Sequence, residues 1–427
     1  MATPSATVVI PRVRLVLMLG ALSAFAPLSL DLYLPGLPGL TRGFGAKAWE
    51  GQLTLTACVI GLALGQLVAG PLSDRLGRRP PLLLGLAAYC GASLACAVAP
   101  SVWTLVGLRF LQGLAGAAGI VVARAVVRDL RSGAAAARLF STLMLVTGLA
   151  PILAPVVGGQ LLRVTSWRGL FVTLAIIGAV LLLATAVGLE ETLPLERRTG
   201  GGWRETTRTF HRLLRDRVFL GYALVGGFAF GELFGYIAGS PFVLQGIYGV
   251  SPQLFGAVFG VNAFGLVACA QVNGALVGRI SPERLLAGGL AVAASAGSSL
   301  LVLVLVGGAG LVAILPCFFA LVASLGFIVP NAAALALNNY PHAAGSASAL
   351  LGMFQFLIGA AAAPFVGVAG ADSAVPMGVV VATLGAGAVG ALFFARRAAA
   401  AAHREGGGTM QVVALEPVAV SNRDELT

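Results

Sequence analysis

The sequence predicts an all-α membrane protein of twelve transmembrane helices, arranged as two pseudo-symmetric six-helix bundles. Three observations predict it. Apolar runs of about twenty residues recur from end to end, each long enough at helical rise to cross a hydrocarbon core of about 30 Å. Charge is scarce: 10% of the 427 residues are Asp, Glu, Lys or Arg and 58% are hydrophobic, with a mean hydropathy of +0.95. A soluble domain carries about a quarter charged residues, because a water-facing surface needs them. Finally, the basic residues fall mainly in alternate connections, which is the positive-inside pattern.

The spans read as 15–39, 51–71, 80–99, 102–124, 139–162, 168–189, 219–246, 252–277, 284–306, 309–331, 343–368 and 374–395. Arg-bearing segments lie at 72–80, 124–138, 196–217, 279–284 and 396–404, all on one side if both termini share it. The positive-inside rule makes that side cytoplasmic. The opposite connections are short and mostly small or apolar, the exceptions being 40–50, with Arg42, Lys47 and Glu50, and Arg163 with Arg168. The first apolar stretch could be a cleavable leader, but it continues past the candidate site at Ala24-Phe25-Ala26 and carries Asp31, so it reads as a retained span.

The organisation that follows is a cytoplasmic N-terminus (1–14), a bundle (15–190), a cytoplasmic connection (191–218), a second bundle (219–396) and a cytoplasmic tail (397–427) expected to be disordered. Within the connection, Arg204, Arg208, Arg212 and Arg215 recur at helical spacing beside Phe210, Leu213 and Leu214, predicting an amphipathic helix on the inner membrane face. Gly70-Pro-Leu-Ser-Asp-Arg-Leu aligns with Gly274-Ala-Leu-Val-Gly-Arg-Ile, 204 positions on. Arg138-Leu-Phe-Ser aligns with Gly345-Ser-Ala-Ser, 207 on. That near-constant offset indicates a duplicated six-span unit, an architecture that places substrate near the midplane between the halves.

The net charge of +11 does not indicate nucleic acid, because the arginines form no single patch. Cys58, Cys90, Cys96, Cys269 and Cys317 sit inside apolar runs as small hydrophobes. No metal or disulfide pattern is visible, no GxxxxGK[ST] phosphate loop is present, and no cofactor is expected.

Gly70-Pro-Leu-Ser-Asp-Arg-Leu-Gly-Arg-Arg-Pro80, between spans two and three, resembles the cytoplasmic loop signature of the major facilitator superfamily. Gly70 is expected to admit a neighbouring helix closely. Asp74 is expected to pair with an Arg or a helix N-terminus, and Arg75, Arg78 and Arg79 to hold the loop inside, with Gly77 completing the conformational-switch loop. Further segments resemble one branch, the bicyclomycin-resistance drug exporters. They are Leu28-Ser-Leu-Asp-Leu-Tyr-Leu-Pro-Gly-Leu-Pro38, Leu108-Arg-Phe-Leu-Gln-Gly-Leu-Ala-Gly continuing to Ala123-Arg-Ala-Val-Val-Arg-Asp129, and Gly148-Leu-Ala-Pro-Ile-Leu-Ala-Pro-Val-Val-Gly-Gly159. In the second half, Gly239-Ser-Pro-Phe-Val, Val329-Pro-Asn-Ala and His342-Ala-Ala-Gly-Ser-Ala-Ser-Ala-Leu-Leu-Gly extend it. In span five, Pro151 and Pro155 remove helix hydrogen bonds. Gly148, Gly158 and Gly159 allow close packing, and the resemblance implies that this segment keeps exporters from leaking.

Charges at membrane depth cost about 3 kcal/mol or more each and mark function. Asp31 lies 17 residues past Arg14, about 25 Å along a helix. Arg109 lies about 12 Å below the outer surface, so the two occupy comparable depth and can pair, directly or through water. The resemblance implies a role for this acid and Arg in proton coupling. Glu232 lies about 22 Å in from Arg217 and departs from the family pattern. It reads as a second proton site, an anchor for a cationic substrate, or a group in a wet cavity. Tyr33, Gln112, Tyr236, Phe242, Asn262 and Gln355, with Asp31 and Glu232, are the candidate substrate contacts.

The resemblance implies a bacterial inner-membrane drug/proton antiporter, not an enzyme. It would be a monomer in the lipid bilayer, exporting small apolar antibiotics of the bicyclomycin, chloramphenicol or sulfonamide kind by alternating access. The alternatives are a proton-coupled carrier of a native metabolite and a non-transporting receptor or scaffold. The tail is too short to be a signalling domain, which disfavours the last.

Overall fold

The computed structural model describes residues 12–130, 133–198, 210–338, 340, 344–368, 370 and 372–406. Within them the chain is helical and contains no strand. The first span is broken. It comprises α1 (Arg12–Ser23), α2 (Phe25–Asp31), a 3₁₀ turn (Leu34–Gly36) and α3 (Leu37–Phe44), with a bend of 46° between Leu15–Ser23 and Pro27–Phe44. Pro27 has no N–H for the preceding turn, and Pro35 and Pro38 follow, so the α-ladder cannot run through. Asp31 is the last residue of α2.

The next five helices are α4 (Ala48–Leu76), α5 (Arg79–Ala97), α6 (Val102–Leu130), α7 (Gly133–Leu161) and α8 (Trp167–Gly188). The second half holds α9 (Arg217–Pro241, continued by a π-turn over Phe242–Ile247), α10 (Pro252–Leu276), α11 (Pro282–Val306), α12 (Leu311–Leu337), α13 (Ala344–Val366) and α14 (Val375–Gly406). Ten helices among the described residues are long and apolar enough to cross a membrane, and the bent first span makes an eleventh. The twelfth position is taken by α7, whose apolar part is Val146–Leu161. This agrees with the twelve-span reading.

Packing repeats between the halves. α4 packs on α6 as α10 does on α12; α5 on α8 as α11 does on α14; α1 on α7 as α9 does on α13. Those are the pairings a duplicated six-helix unit requires. Between halves, α4 meets α13 and α7 meets α10, the same two positions exchanged.

Glycine sets the closest approaches. A Cβ at Gly61 would fall on the Phe110 carbonyl oxygen and one at Gly113 on that of Cys58, so α4 and α6 touch backbone to backbone. Gly70 is not such a site: its Cβ would meet Val121 at an ordinary 3.9 Å. The close approach expected there lies farther up the helix.

Two sequence expectations shift at the margins. Of the expected amphipathic helix, Arg204 and Arg208 lie outside the described residues, whereas Arg212 and Arg215 stand on a short helix over 210–215. α14 continues to Gly406, so the start of the expected tail is helical; 407–427 lie outside the described residues.

Candidate functional site

Polar side chains inside an apolar bundle need partners, since an unpaired one costs several kcal/mol in a membrane. In the first half they converge on Arg109 of α6, which has no accessible surface. Its Nη2 donates to the Ser29 carbonyl at 3.0 Å and its Nη1 to Gln112 Oε1. Gln112 Nε2 in turn donates to Ser93 Oγ at 2.7 Å, and Ser29 Oγ and Tyr89 Oη share a hydrogen bond of 2.7 Å. The guanidinium carbon lies 4.4 Å from the centroid of the Tyr33 ring and 5.6 Å from that of Phe171. Tyr33 Oη is held by Thr54 Oγ1 at 2.9 Å. Among the described residues no carboxylate contacts this cation, and its Nε has no partner.

Asp31 sits two residues beyond Ser29. It is 5% exposed and makes no hydrogen bond or ion pair among the described residues. Asp31 and Arg109 are therefore neighbours in the fold without being an ion pair in this conformation. In the opposite half, the hydroxyl of Tyr236 on α9 anchors a second polar contact. Asn262 Nδ2 donates to that hydroxyl at 2.9 Å, and the Tyr236 ring packs on Phe259 and Phe318.

The candidate substrate contacts are thus arranged differently from the sequence expectation. Tyr33, Gln112 and Glu232 are 0% exposed, Tyr236 is 1%, Asn262 3% and Phe242 5%. In this conformation they are enclosed by protein, because Tyr33 and Gln112 serve Arg109 and Tyr236 serves the α9–α10 contact. Phe242 packs at Gly51, across the halves, and Gln355 is half-buried over Gly226. Glu232 does not join this group: its Oε1 points at Gly385 of α14, beside Ala294 of α11.

The halves meet at the end away from the 70–80 loop. Gln52 Nε2 donates to the Ala238 carbonyl (3.1 Å), Thr56 Oγ1 to Ala360 (2.9 Å), Gln245 Nε2 to Pro35 (3.1 Å) and Gln253 Nε2 to Gly159 (2.8 Å). The span-five glycines belong to this closure. A Cβ at Gly158 would strike the Leu32 carbonyl at the break in span one, and one at Gly159 would lie 2.6 Å from the Pro252 carbonyl. Gly148 faces Val267 at an ordinary 3.5 Å. α7 remains continuous through Pro151 and Pro155.

At the other end the loop is a charge network. Arg78 Nε donates to Asp129 Oδ2 at 2.8 Å, and its Nη1 reaches Asp74 and Ser73. Glu191, just past α8, accepts the backbone N–H groups of Arg78 (2.7 Å), Arg79 (3.1 Å) and Leu193 (3.0 Å). Burial alone would raise the Glu191 carboxyl; these donors, led by that of Arg78, and the nearby Arg198 hold it below its ordinary value. Arg79 Nη2 donates to the Ala186 carbonyl, while Arg75 is exposed. Gly77 has φ +94°, and its Cβ would run into the Glu191 carboxylate. Thr192 Oγ1 also donates to Asp129 Oδ2 at 3.1 Å. The sequence expectations quoted Asp129 without a role and did not include Glu191, Thr192, Ser93 or Tyr89. Two signals were available: the acidic pair Glu190-Glu191 directly after a span, and Tyr89 and Ser93 four apart on one face of an otherwise apolar helix.

Two pseudo-symmetric bundles with polar side chains buried near their junction define a multi-span secondary transporter. Residues 19–364 match the Major Facilitator Superfamily, and the chain belongs to that family. A Bacillus subtilis transporter of the same type, YdgK, is 41% identical over 86% of this chain and 92% of its own. A Haemophilus influenzae protein named a bicyclomycin resistance protein homolog is 33% identical over 85% and 91%. A Pseudomonas aeruginosa chloramphenicol resistance protein is 30% identical over 78% and 79%. These relatives support the drug-exporter branch. Among solved structures, an inward-facing bacterial homolog of the lysosomal transporter Spinster superposes with a TM-score of 0.67 at 16% identity, covering 91% of this chain and 95% of that one. A D-xylose–proton symporter does so with 0.67 at 16%, covering 89% and 96%. Both share the fold.

Proposed function

We propose that the protein is a proton-driven exporter of small, largely apolar drugs, working by alternating access in a bacterial inner membrane. The observation that carries this reading is a separated pair. Among the described residues, Arg109 is a buried cation with no carboxylate, and Asp31, two residues past its acceptor Ser29, is a carboxyl with no partner. A lone ionised carboxylate at this depth is costly, so Asp31 holds a proton while it stands apart from Arg109. A carboxylate opposite the guanidinium is stabilised instead. Asp31 ends α2 at a helix break, so a rotation of that short helix exchanges the Ser29 carbonyl for the Asp31 carboxylate beside Arg109. The exchange releases the proton.

The basic loop end is cytoplasmic on the positive-inside rule, which makes the closed end the outer one. An inward-open state then takes drug from the cytoplasm or inner leaflet, the halves rock, and protonation of Asp31 from outside drives release. The branch relatives suggest bicyclomycin-, chloramphenicol- or sulfonamide-like compounds. The protein would act as a monomer, with substrate, protons and lipid as its partners.

The test is drug flux in proteoliposomes under an imposed pH gradient. The expectation is export driven by the gradient in the wild type and abolished in Asp31→Asn, with normal membrane insertion. Full gradient-driven export by Asp31→Asn would remove the coupling role. Uptake of a metabolite in place of drug export would favour the native-metabolite carrier.

A further inference from the structure

Glu232 has a setting unlike that of the other membrane-depth charges. It lies on α9 but faces away from the junction of the halves, into the second bundle. Both carboxyl oxygens are fully buried and neither has a hydrogen-bond partner. Oε1 occupies the hollow left by Gly385 of α14: a Cβ there would stand 2.6 Å from it and 3.7 Å from the Cα of Ala294 on α11.

Among the described residues no opposite charge compensates it. α12 and α13 contain no Asp, Glu, Lys, Arg or His. On α11 the charges are Glu283 and Arg284, at least ten residues before Ala294 and so about 15 Å away. On α14 the first is Arg396, eleven residues and about 16 Å beyond Gly385. On α9 itself the nearest is Arg217, about 22 Å away, with Tyr222 and Tyr236 as the remaining titratable groups. A metal ion is excluded as the ligand of this carboxylate by chemistry: hard cations need several oxygens, and no second acidic, His or Cys ligand stands with it among the described residues. A carboxyl buried at this depth with no donor and no cation among the described residues is costly as an anion and is made neutral by its own proton.

We propose that Glu232 is a second proton-binding site of the carrier, lodged between α9, α11 and α14 and separate from Asp31. Each acid sits on the first span of its half, 201 residues apart and so three to six residues short of the 204–207 repeat offset; the two are not equivalent positions of the repeat. Glu232 faces Gly385 of α14 and Ala294 of α11 within its own bundle. Its contact Gly385 lies in the small-residue segment Leu384-Gly-Ala-Gly-Ala-Val-Gly-Ala391 of α14, where Gly387 also faces Phe228 of α9. A displacement of α9 relative to α14 within the second bundle would expose Glu232 to water and let its proton leave. The transport consequence rests on the proton-coupled reading above; the proton site itself does not.

The first test uses purified, substrate-free full-length protein. Proton release is titrated between about pH 5 and 9, with infrared detection of the carboxylic-acid carbonyl band, in the wild type, Glu232→Gln and Asp31→Asn. The expected result is one proton fewer per chain in Glu232→Gln, with loss of one protonated-carboxyl band distinct from the band lost in Asp31→Asn. Equal proton release in wild type and Glu232→Gln overturns the proposal. If Glu232→Gln does not fold, Gly385→Ala serves: the displaced carboxyl must shift the same band, and an unmoved band overturns it. In proteoliposomes the proton-to-drug ratio is then expected to fall by one in Glu232→Gln. Failure of the wild type to move drug on a pH gradient would instead count against the export reading, leaving the titration result intact.

Discussion

The guanidinium of Arg109 lies over the ring of Tyr33, 4.4 Å from its centroid. A buried cation without a carboxylate must be stabilised by carbonyls, an amide and aromatic faces, and Tyr33 is the face closest to it. A desolvated cation–π contact contributes about 2 kcal/mol, and the Tyr33–Thr54 hydrogen bond about 1 kcal/mol. Tyr33→Leu is therefore expected to lower the thermal midpoint of the detergent-solubilised protein by several degrees. Arg109→Lys keeps the charge but loses the planar fork that reaches Ser29 and Gln112 together. It should reduce export at least tenfold in a vesicle assay, although the net charge is unchanged.

Gly77 is the residue where the loop turns, and both backbone and space require glycine. Its φ of +94° with ψ of 169° lies in a region open essentially to glycine, costing about 1–3 kcal/mol otherwise. A Cβ would also meet the carboxylate of Glu191. Gly77→Ala is expected to destabilise by about that amount and to slow transport, whereas Gly70→Ala, with an ordinary contact at 3.9 Å, should do neither. Thermal midpoints and initial transport rates of the two variants decide the matter.

Glu191 gives a pH dependence whose sign is fixed. Its carboxyl is held below the ordinary 4.5 of a glutamate by backbone N–H donors that outweigh burial. A lowered folded-state value means stabilisation that is complete above the unfolded value and lost as pH falls through the folded one. The wild type should therefore lose stability on acidification below about pH 4.5, while Glu191→Gln loses less over the same range. At neutral pH the variant should already be weaker by about 1 kcal/mol, because an amide nitrogen replaces one acceptor oxygen in a partly exposed site. Thermal midpoints of both proteins from pH 7 down to pH 3 test this; parallel curves would sink it.

Several of these relationships lay in the sequence in different degrees. The twelve apolar runs and the loop Gly70–Pro80 were plain in it, because a helix in lipid satisfies its own backbone and needs only length and apolarity. Pro27, Pro35 and Pro38 were visible, yet the break they make in the first span was not anticipated. A proline permits a kink but does not set where the next helix starts. Gly70 drew attention by its motif, while Gly61 and Gly113, which bring α4 and α6 into backbone contact, drew none. Space beside a glycine depends on the facing helix. Glu191 is distant in sequence from the loop it holds, and only the docking of α5 on α8 brings them together.

What the sequence by itself determined is the class of the molecule: an all-α transporter with a duplicated six-helix unit, basic on alternate connections, with three charges at membrane depth. Period, length and charge distribution encode these locally. What only the tertiary structure decided is where those charges point. Arg109 turns toward Ser29, Gln112 and the Tyr33 ring, Asp31 stands alone at the break of its helix, and Glu232 turns away from both into the hollow at Gly385. The direction of a side chain on a helix is set by a rotation of about 100° per residue. A depth estimate cannot resolve that rotation, and only the packing of neighbouring helices fixes it.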